Sequence, residues 1–551
     1  MPKQVLIINI TRMGDLIQMI PLLSRLEEES PGVAIDLIVD REFAHVASLI
    51  PGIRQVLMFD FQRLMDESRV RARDVVALYQ DLARWARPLL QVGYDRVVNL
   101  TFNRRSAFLV KCFGCSDERG MTTAQDGSFI VKNPWMKYFV DFHVYRQLNR
   151  FNIVDLFALG GSGPGSFHPI RLQVPSQMQE WARTYLKQAG KPDEWIGIQV
   201  GASDPMKAWR PEYFGQVMAW ISQQRHVGFV LIGTKKEEAD VQEAIRCYRQ
   251  AGGKGILCEA VAQTTVPQLV ALLEQCQLMV TNDTGPMHLA VGVNTPVLNV
   301  SVGHVDFWET GPFGPGHWVV QPDIICGPCG FDKVCPHHAC KDHLVPQEVA
   351  ELCLHLLGAR PFPVFSSKVR VYEGGVNEDQ LGTFFIRAGS EDRRIGWYAN
   401  YWRQYWYESF THCPSLIPSP QTSPPDFPEC EQLWRLLAPQ LDQLCIQADT
   451  VVDLCRRRPI PVDSLKAQQH QLKDNTLTMQ QMARPSLAFG PLAMAFFRET
   501  FSLEAGTLGG MAEENARAYH VFRARGTENY TRLDAMVSFD SRRARYASAI
   551  G

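Results

Sequence analysis

Over residues 1–357, short apolar runs alternate with longer segments in which apolar residues recur at helical spacing. The run QVLIINI (residues 4–10) has the length and β-branched content of a buried strand, and LIQMIPLLSRLEEE after it has the spacing of a helix. The run VAIDLIVD (33–40) predicts the next strand. Because this order requires a crossover connection between parallel strands, the pattern predicts an α/β fold with helices covering a parallel sheet.

The segment ALGGSGPGSFHPIRL (158–172) interrupts this pattern with glycine and proline, and we interpret it as a linker. After it the alternation restarts, with WIGIQV, VGFVLIG, LMVTND and TPVLNV as predicted strands. Two doubly wound halves joined by a hinge are therefore expected. Their ligands are expected at the carboxyl ends of the strands, in the cleft between the halves.

Beyond about residue 357 the pattern changes to a predicted β-hairpin, a densely aromatic segment (395–410), a proline-rich break and then mostly helices. The aromatic segment favours the packing face of an amphipathic helix over a surface for sugars or a membrane interface. The predicted domains are 1–160, 161–360 with a cysteine-rich loop at 326–343, and an appended region at 361–551.

Composition narrows the class of protein. The 551 residues are 46% hydrophobic and 21% charged, which is typical of a globular protein. The net charge of −2 gives no overall positive potential that would attract nucleic acid. No apolar stretch has membrane-spanning length, and the N-terminus lacks the features of a signal peptide. We therefore expect a cytoplasmic protein whose 14 cysteines are thiols or metal ligands.

Three predicted strands end in turns that could hold a nucleotide diphosphate. In TNDTGPMH (281–288) the start of a helix offers unpaired N–H groups, and Asp283, Thr284, Gly285 and His288 lie there. The alternative is that Asp283 or Thr284 only caps the helix. In the second turn, GASDPMKAW, Ser203 and Lys207 supply a hydroxyl and a positive charge. The third turn, LIGTKKEEAD, contributes its own glycine and carboxylate: Gly233 and Glu237.

A fourth turn, NITRMGDLIQ (9–18), lies in the N-terminal half. Gly14 suits a sharp turn, and Asp15 lies near the start of the following helix. Opposite a phosphate site, that carboxylate could remove a proton from an attacking hydroxyl. A helix-capping role for Asp15 is the alternative.

These motifs together resemble glycosyltransferase family 9, the heptosyltransferases of the lipopolysaccharide inner core, over about residues 4–357. The resemblance implies a GT-B fold and an inverting transfer from a nucleotide-diphosphate heptose. It assigns Asp15 as the base and Lys207 as the pyrophosphate-binding lysine. It assigns Glu237, with Glu238 as the alternative, to the ribose or adenine part of the donor nucleotide.

The resemblance also implies the partners: an ADP-heptose-like donor, and a lipopolysaccharide core or another surface glycan or protein as acceptor, reached from the inner face of the cytoplasmic membrane. The chain contains no D-x-D triplet, so no catalytic metal is expected. Two alternatives stay open, namely a protein glycosyltransferase acting on an autotransporter or flagellin, and a non-catalytic scaffold that binds nucleotide sugars.

Four cysteines lie close together in CGPCGFDKVCPHHACKDH: Cys326, Cys329, Cys335 and Cys340. Their spacing could close around one tetrahedral ion, with zinc or iron as the structural metal. Reduced thiols packed in a loop are the other interpretation, and the sequence does not separate the two.

Overall fold

The computed structural model describes residues 3–60, 75–330, 334–418, 420 and 422–550. The strands of this part of the chain are β1 (Gln4–Ile8), β2 (Ala34–Asp40), β3 (Gln55–Phe59), β4 (Arg96–Asn99), β5 (Asp117–Thr123), β6 (Phe129–Lys132), β7 (Glu194–Gln199), β8 (Val227–Ile232), β9 (Ile256–Glu259), β10 (Leu278–Thr281), β11 (Val297–Val300), β12 (Trp318–Pro322), β13 (Val369–Val376) and β14 (Gly382–Ala388).

The helices alternate with these strands up to β12 and dominate after β14. They are α1 (Met13–Gln18), α2 (Ile20–Glu29), α3 (Ala44–Ala47), α4 (Val75–Leu90), α5 (Arg104–Cys112), α6 (Pro134–Asp141), α7 (Ile153–Gly161), α8 (Ser176–Ala189), α9 (Pro211–Ser222), α10 (Glu238–Gln250), α11 (Val266–Glu274), α12 (Gly285–Gly292), α13 (Phe307–Thr310), α14 (Ala339–His343), α15 (Pro346–Leu356), α16 (Arg393–Thr411), α17 (Phe427–Arg456), α18 (Val462–Ala483), α19 (Gly490–Thr500) and α20 (Leu508–Ile550).

Contacts divide the chain into two compact units, which are described separately. Unit 1 comprises residues 1–95 and 151–390, and unit 2 comprises 96–150 and 391–551. Residues 361–390 therefore share a unit with the segment before them, and 96–150 share one with the C-terminal region. The three domains predicted from the sequence stay a prediction about domain organisation.

Unit 1 contains two sets of parallel strands. Strand β2 pairs in parallel with both β1 and β3. The other parallel strands, β7–β12, belong to a sheet in the order β14-β13-β12-β11-β10-β7-β8-β9. Its parallel strands are buried on both faces by helices, which is why they are continuous apolar runs such as VGFVLI in β8.

The predicted hairpin is present as β13 and β14, and it extends this sheet instead of standing apart from it. Strand β13 pairs antiparallel with β12 on one side and with β14 on the other. The apolar residues of β13 continue the core of the sheet: Val369 and Val371 belong to the same buried cluster as Ile196 in β7.

The predicted linker is only partly irregular. Its first residues, 158–161, form the end of the buried helix α7. A Cβ atom at Gly161 would lie 2.5 Å from Leu22 Cδ1, so this glycine permits close packing of α7 on α2. The glycine content of this segment predicted a flexible linker, whereas Gly161 lies in a helix and allows that helix to pack closely on another.

Unit 2 combines β4–β6, α5 and α6 with the helices α16–α20. The aromatic helix α16 is its centre, and Tyr398, Trp402 and Tyr405 are almost fully buried. The interpretation of this segment as a packing face is therefore confirmed. Arg403 donates a hydrogen bond of 2.9 Å to the Arg150 carbonyl, which ties α16 to the earlier part of the same unit.

No helix in the described ranges combines the length and apolar content that crossing a bilayer requires.

Candidate active site

The three turns predicted to hold a diphosphate follow strands that are adjacent in one sheet of unit 1. Strand β7 pairs in parallel with β10 on one side and with β8 on the other. Their carboxyl ends therefore lie at the same edge. This edge carries the 3₁₀ turn at Pro205–Lys207 after β7, the turn at Lys235–Glu237 after β8, and the start of α12 after β10.

The start of α12 is not closed by a side chain. Thr284 is the N-terminal cap residue in extended conformation, yet its hydroxyl makes no capping hydrogen bond. It lies 3.3 Å from the Thr281 hydroxyl. The Asp283 carboxylate accepts a 2.5 Å hydrogen bond from the Thr310 hydroxyl. Thr284 therefore occupies the cap position without a side-chain capping hydrogen bond, so its hydroxyl does not compete with an anion for the N–H groups at this helix start.

Asn282 holds two of the turns together, and sequence reasoning missed it. Its side chain is fully buried. Its Nδ2 donates to the Val200 carbonyl at 2.7 Å, and its Oδ1 accepts from the Trp209 backbone N–H at 2.9 Å. A polar residue at the end of a buried strand was the available signal, since such a side chain must find partners.

The turn that carries Lys207 is supported from several sides. The Asp204 carboxylate accepts the Met206 N–H at 2.9 Å. The Met206 carbonyl approaches Gly303 so closely that a Cβ there would lie 2.1 Å from it, and Gly303 has a φ of +74°. Glycine is therefore required at position 303 by both conformation and space.

Helix α14, inside the cysteine-rich loop, supports the same turn. The Lys341 ammonium donates to the Pro205 carbonyl at 2.7 Å, and the Lys341 carbonyl accepts the Trp209 indole N–H at 2.9 Å. Asp342 pairs through both oxygens with Arg210, at 2.5 and 2.9 Å. A direct structural connection thus links the cysteine-rich loop to Lys207.

Glu237 and Glu238 differ clearly in their surroundings. Glu237 accepts hydrogen bonds from the Thr234 N–H at 2.7 Å and from Gln199 Nε2 at 3.0 Å, next to the end of β7. Glu238 instead forms an exposed ion pair with Lys235. A Cβ at Gly201 would lie 2.5 Å from Glu237 Cγ, so Gly201 makes room for this side chain. Gly233 also lies beside Glu237: a Cβ at Gly233 would lie 3.5 Å from Glu237 Cβ, which is an ordinary van der Waals distance.

Asp15 occupies the first turn of α1, after the cap residue Arg12. It is therefore not the N-cap residue that the alternative interpretation required. The Thr11 hydroxyl donates to its carboxylate at 2.7 Å, and the buried Asn9 amide donates to its backbone carbonyl at 3.0 Å. Burial raises the pKa of Asp15, and the Thr11 hydrogen bond and the Arg12 charge oppose this effect only in part.

The starts of α1 and α12 pack directly on each other within unit 1. A Cβ at Gly14 would lie 3.2 Å from His288 Cδ2, and one at Gly285 would lie 2.4 Å from Met13 Cε. The sequence-based reason for Gly14 was a sharp turn, but the structure shows close packing instead. This contact packs α1, which carries Asp15, against α12, which carries His288.

His288 is a neutral residue in this contact. Its ring is buried, and its Nδ1 has no hydrogen-bond partner in the described part of the chain. Burial and then the positive charge of Lys207 lower the pKa of His288 to about 4. The effect of Lys207 on this imidazole indicates that the ammonium lies in the neighbourhood of the contact.

The four cysteines do not form a ligand set in the structure. All four are thiols, with Cys326 exposed and Cys340 buried. The pKa of Cys340 is raised by burial and further by the charges of Cys335 and Cys326. Even so, no group of three or more His, Cys, Asp or Glu side chains among the described residues is placed to hold a metal. The zinc or iron site has no support from these positions and stays a prediction.

Comparison with known proteins finds a family match over part of the chain. Residues 82–338 match the model of glycosyltransferase family 9 (heptosyltransferase). The chain carries a family 9 region. The resemblance drawn from the motifs is thereby confirmed, as are the glycosyltransferase class of enzyme and the α/β fold class of GT-B type with a mostly helical C-terminal part. Lys207 and the start of α12 lie inside the matched region, whereas Asp15 precedes it.

Individual relatives of the family 9 region are distant. Lipooligosaccharide heptosyltransferase 2 of Campylobacter jejuni is 27% identical over 226 residues, which cover 40% of this chain and 68% of that protein. Lipopolysaccharide heptosyltransferase 3 of Escherichia coli is 24% identical over 301 residues, covering 54% and 83%. The structure of E. coli ADP-heptose heptosyltransferase II aligns with 19% identity and a TM-score of 0.48, covering 64% and 98%.

The close packing at Gly14 generates a first prediction. In Gly14→Ala the new methyl group lies 3.2 Å from His288 Cδ2, so the buried ring must shift slightly. We therefore expect this variant to gain less stability from helix propensity than a control, by about 1 kcal/mol in chemical denaturation. Gly509→Ala is the matched control, because Gly509 is also helical and has nothing within 4 Å of an added Cβ. Equal stability of the two variants would show that α1 and α12 are not in contact.

The support from α14 generates a second prediction. Lys341→Met removes the hydrogen bond to the Pro205 carbonyl, so we expect amide hydrogen exchange to accelerate at residues 203–210, by about fivefold for a hydrogen bond of roughly 1 kcal/mol. Lys191→Met, at an exposed lysine of the same unit, should leave this exchange unchanged. Unaltered exchange in Lys341→Met would contradict the supporting role of α14.

Proposed function

We propose that the chain transfers a heptose from an ADP-heptose-type nucleotide sugar to a hydroxyl of a lipopolysaccharide core, with inversion at the anomeric carbon. The names of the relatives support the donor and acceptor classes. The contact of α1 with α12 carries the proposal, because it packs the helix of Asp15 on the helix of His288, whose pKa burial and the charge of Lys207 lower. A cytoplasmic location, with the acceptor at the inner face of the membrane, belongs to the same proposal.

The donor diphosphate is assigned to the edge formed by β7, β8 and β10. In this assignment the Lys207 ammonium and the N–H groups at the start of α12, which has no side-chain capping hydrogen bond, compensate the charge of the diphosphate. The exposed Ser203 hydroxyl adds a donor on the Lys207 turn. Glu237, held at the end of β7, is the carboxylate we assign to the ribose or adenine side.

Asp15 is assigned as the general base. The acceptor oxygen attacks the anomeric carbon from the face opposite the diphosphate, and its proton passes to the Asp15 carboxylate. The bond from the anomeric carbon to the phosphate oxygen breaks, and the nucleoside diphosphate leaves with the electron pair. Lys207 and the start of α12 stabilise the charge that grows on this leaving group. No step of this proposal is assigned to a metal.

The raised pKa of Asp15 suits a base, since a carboxylate with a higher pKa accepts a proton more readily. It also has a cost in stability. Because the folded state holds the proton more tightly than the unfolded state, the free energy of unfolding falls as pH rises from the unfolded pKa, about 3.9, through the raised folded pKa. A base that destabilises the fold at neutral pH is expected at a catalytic position.

Asp15→Asn tests the assignment. We expect transfer to fall by about 10²–10⁴-fold, with ADP binding retained, and the free energy of unfolding to rise at neutral pH but not at low pH. Transfer assays with truncated lipopolysaccharide, calorimetry with ADP and denaturation at two pH values measure the three effects. The control is Asp193→Asn, at an exposed aspartate of the same unit. Near-normal turnover of Asp15→Asn would remove Asp15 as the base.

Thr11 offers a finer test through pH. Its hydroxyl favours the ionised form of Asp15, so Thr11→Val should raise the pKa of Asp15 further. The acidic limb of kcat/KM should then move to higher pH, by about one unit for a hydrogen bond to a charged group. Thr11→Ser, which retains the hydroxyl, should keep the wild-type profile. A limb that does not move in Thr11→Val would show that another group controls it.

A further inference from the structure

Unit 2 contains a cavity that the proposed function does not use. Its volume is about 100 Å³ and it is partly open to solvent, so it has room for a small apolar group or for part of an alkyl chain. Its walls come from α6, α16 and α19, with Arg525 from α20. The aromatic part of the lining consists of Tyr138, Phe142, Tyr145, Trp402, Trp406 and Phe410.

The charged groups at the cavity, with one exception, are paired with each other. Arg498 forms two hydrogen bonds of 2.6 Å with the Asp141 carboxylate. Arg525 donates to Glu499 at 2.8 Å. These ion pairs already satisfy the carboxylates and guanidinium groups, so a ligand gains little by competing for them.

Several neutral polar groups of the lining are engaged in the same way. The Tyr138 hydroxyl donates to Asn149 at 2.9 Å, the Tyr145 hydroxyl donates to the Arg484 carbonyl at 2.9 Å, and the Trp402 indole N–H donates to the Leu487 carbonyl at 2.7 Å. A sugar needs many free donors and acceptors around its hydroxyls. The cavity is therefore poorly suited to a carbohydrate despite its aromatic rings.

Lys137 is the exception. It is partly buried at the cavity, and within the described ranges its ammonium has neither an ion pair nor a side-chain hydrogen bond. Burial lowers the pKa of Lys137, while Glu499 opposes this effect without pairing with it. Three cationic residues, Lys137, Arg498 and Arg525, line the cavity against two carboxylates, Asp141 and Glu499. Lys137 is therefore the lining cation without an ion-pair partner among the described residues, although the charges of Glu499 and Glu504 both favour its charged form.

We propose that this cavity binds an amphiphile with an apolar body and one anionic head group, a carboxylate or a phosphate, whose charge pairs with Lys137. The apolar body occupies the space between the aromatic side chains, where burial of its surface stabilises the complex. The head group supplies the ion-pair partner that Lys137 lacks among the described residues. None of the residues assigned to donor or base takes part, so the site is separate from the proposed glycosyl transfer and can be tested without it.

Binding of four C10 probes to the full-length chain tests the proposal by equilibrium dialysis below their micellar concentrations. The probes are decanoate, decyl phosphate, decanol and decyltrimethylammonium, and glucose 1-phosphate serves as a polar anion. We expect decanoate or decyl phosphate to bind at least about tenfold more tightly than decanol. The preferred one of the two identifies the head group. The cationic probe and glucose 1-phosphate should bind more weakly still.

Two variants separate the contribution of charge from that of space. Lys137→Met should weaken binding of the anionic probes by about tenfold and leave decanol binding unchanged. Ala495→Phe, which fills the cavity from α19, should abolish binding of all the C10 probes. Lys111→Met, at an exposed lysine in α5 of the same unit, is the control and should bind like the wild type. Circular dichroism verifies folding, and Lys137→Met decides the charge question even where Ala495→Phe fails to fold.

Three results would overturn the proposal. Equal binding of decanol and decanoate, with no effect of Lys137→Met, would show that the cavity does not recognise an anion. A Lys137-dependent preference for glucose 1-phosphate would assign the cavity to polar ligands. Absence of binding for every probe would show that the cavity is not a site for such ligands. None of these results bears on glycosyl transfer, which the Asp15 variant tests independently.

Discussion

Two short helices, α1 and α12, meet at glycines, and the geometry of the candidate active site depends on this contact. A side chain at Gly14 would press on the His288 ring, and one at Gly285 would press on Met13. Because both positions lack a Cβ, the two helix starts can approach closely, and the helix that carries Asp15 packs on the one that carries His288. At this contact His288 is buried and Asp15 is partly buried. Burial disfavours the charged form of each, which raises the pKa of the first and lowers that of the second.

The edge formed by β7, β8 and β10 is held by hydrogen bonds between its turns as well as by apolar packing. Asn282 joins the ends of β7 and β10, Glu237 joins the ends of β7 and β8, and Trp209 reaches α14. Buried hydrogen bonds of this kind are directional, so they fix the position of a turn more narrowly than apolar contacts do. They leave the N–H groups of α12 and the Lys207 ammonium as the groups available to a ligand. The cysteine-rich loop contributes to this edge through α14.

Unit 2 is built from two parts of the chain that are far apart in the sequence. Its aromatic helix α16 is buried by the helices that follow it and by residues 96–150, so the C-terminal region and part of the N-terminal sequence form one compact body. Within that body, polar groups around an aromatic cavity are paired with one another, and Lys137 has no ion-pair partner among the described residues. Lys207 and Lys137 thus lie in surroundings of opposite character. The first lies among polar turns, and the second lies among aromatic rings.

The pattern of apolar residues was sufficient for the α/β alternation, for the hairpin at β13 and β14, and for the packing role of α16. Local composition also singled out Asp15, Lys207 and the start of α12, because turns after buried strands are where polar residues become accessible. Tertiary structure decided the rest. It replaced the turn role of Gly14 by close packing, placed the glycines at 160–161 in a buried helix, joined residues 96–150 to the C-terminal helices, and revealed Asn282 and Lys137. The physical reason is the separation along the chain over which each property arises. Periodicity reflects hydrogen bonding and burial among residues that are near neighbours in the sequence. Close approach and the pairing of buried polar groups arise only between residues that folding brings together.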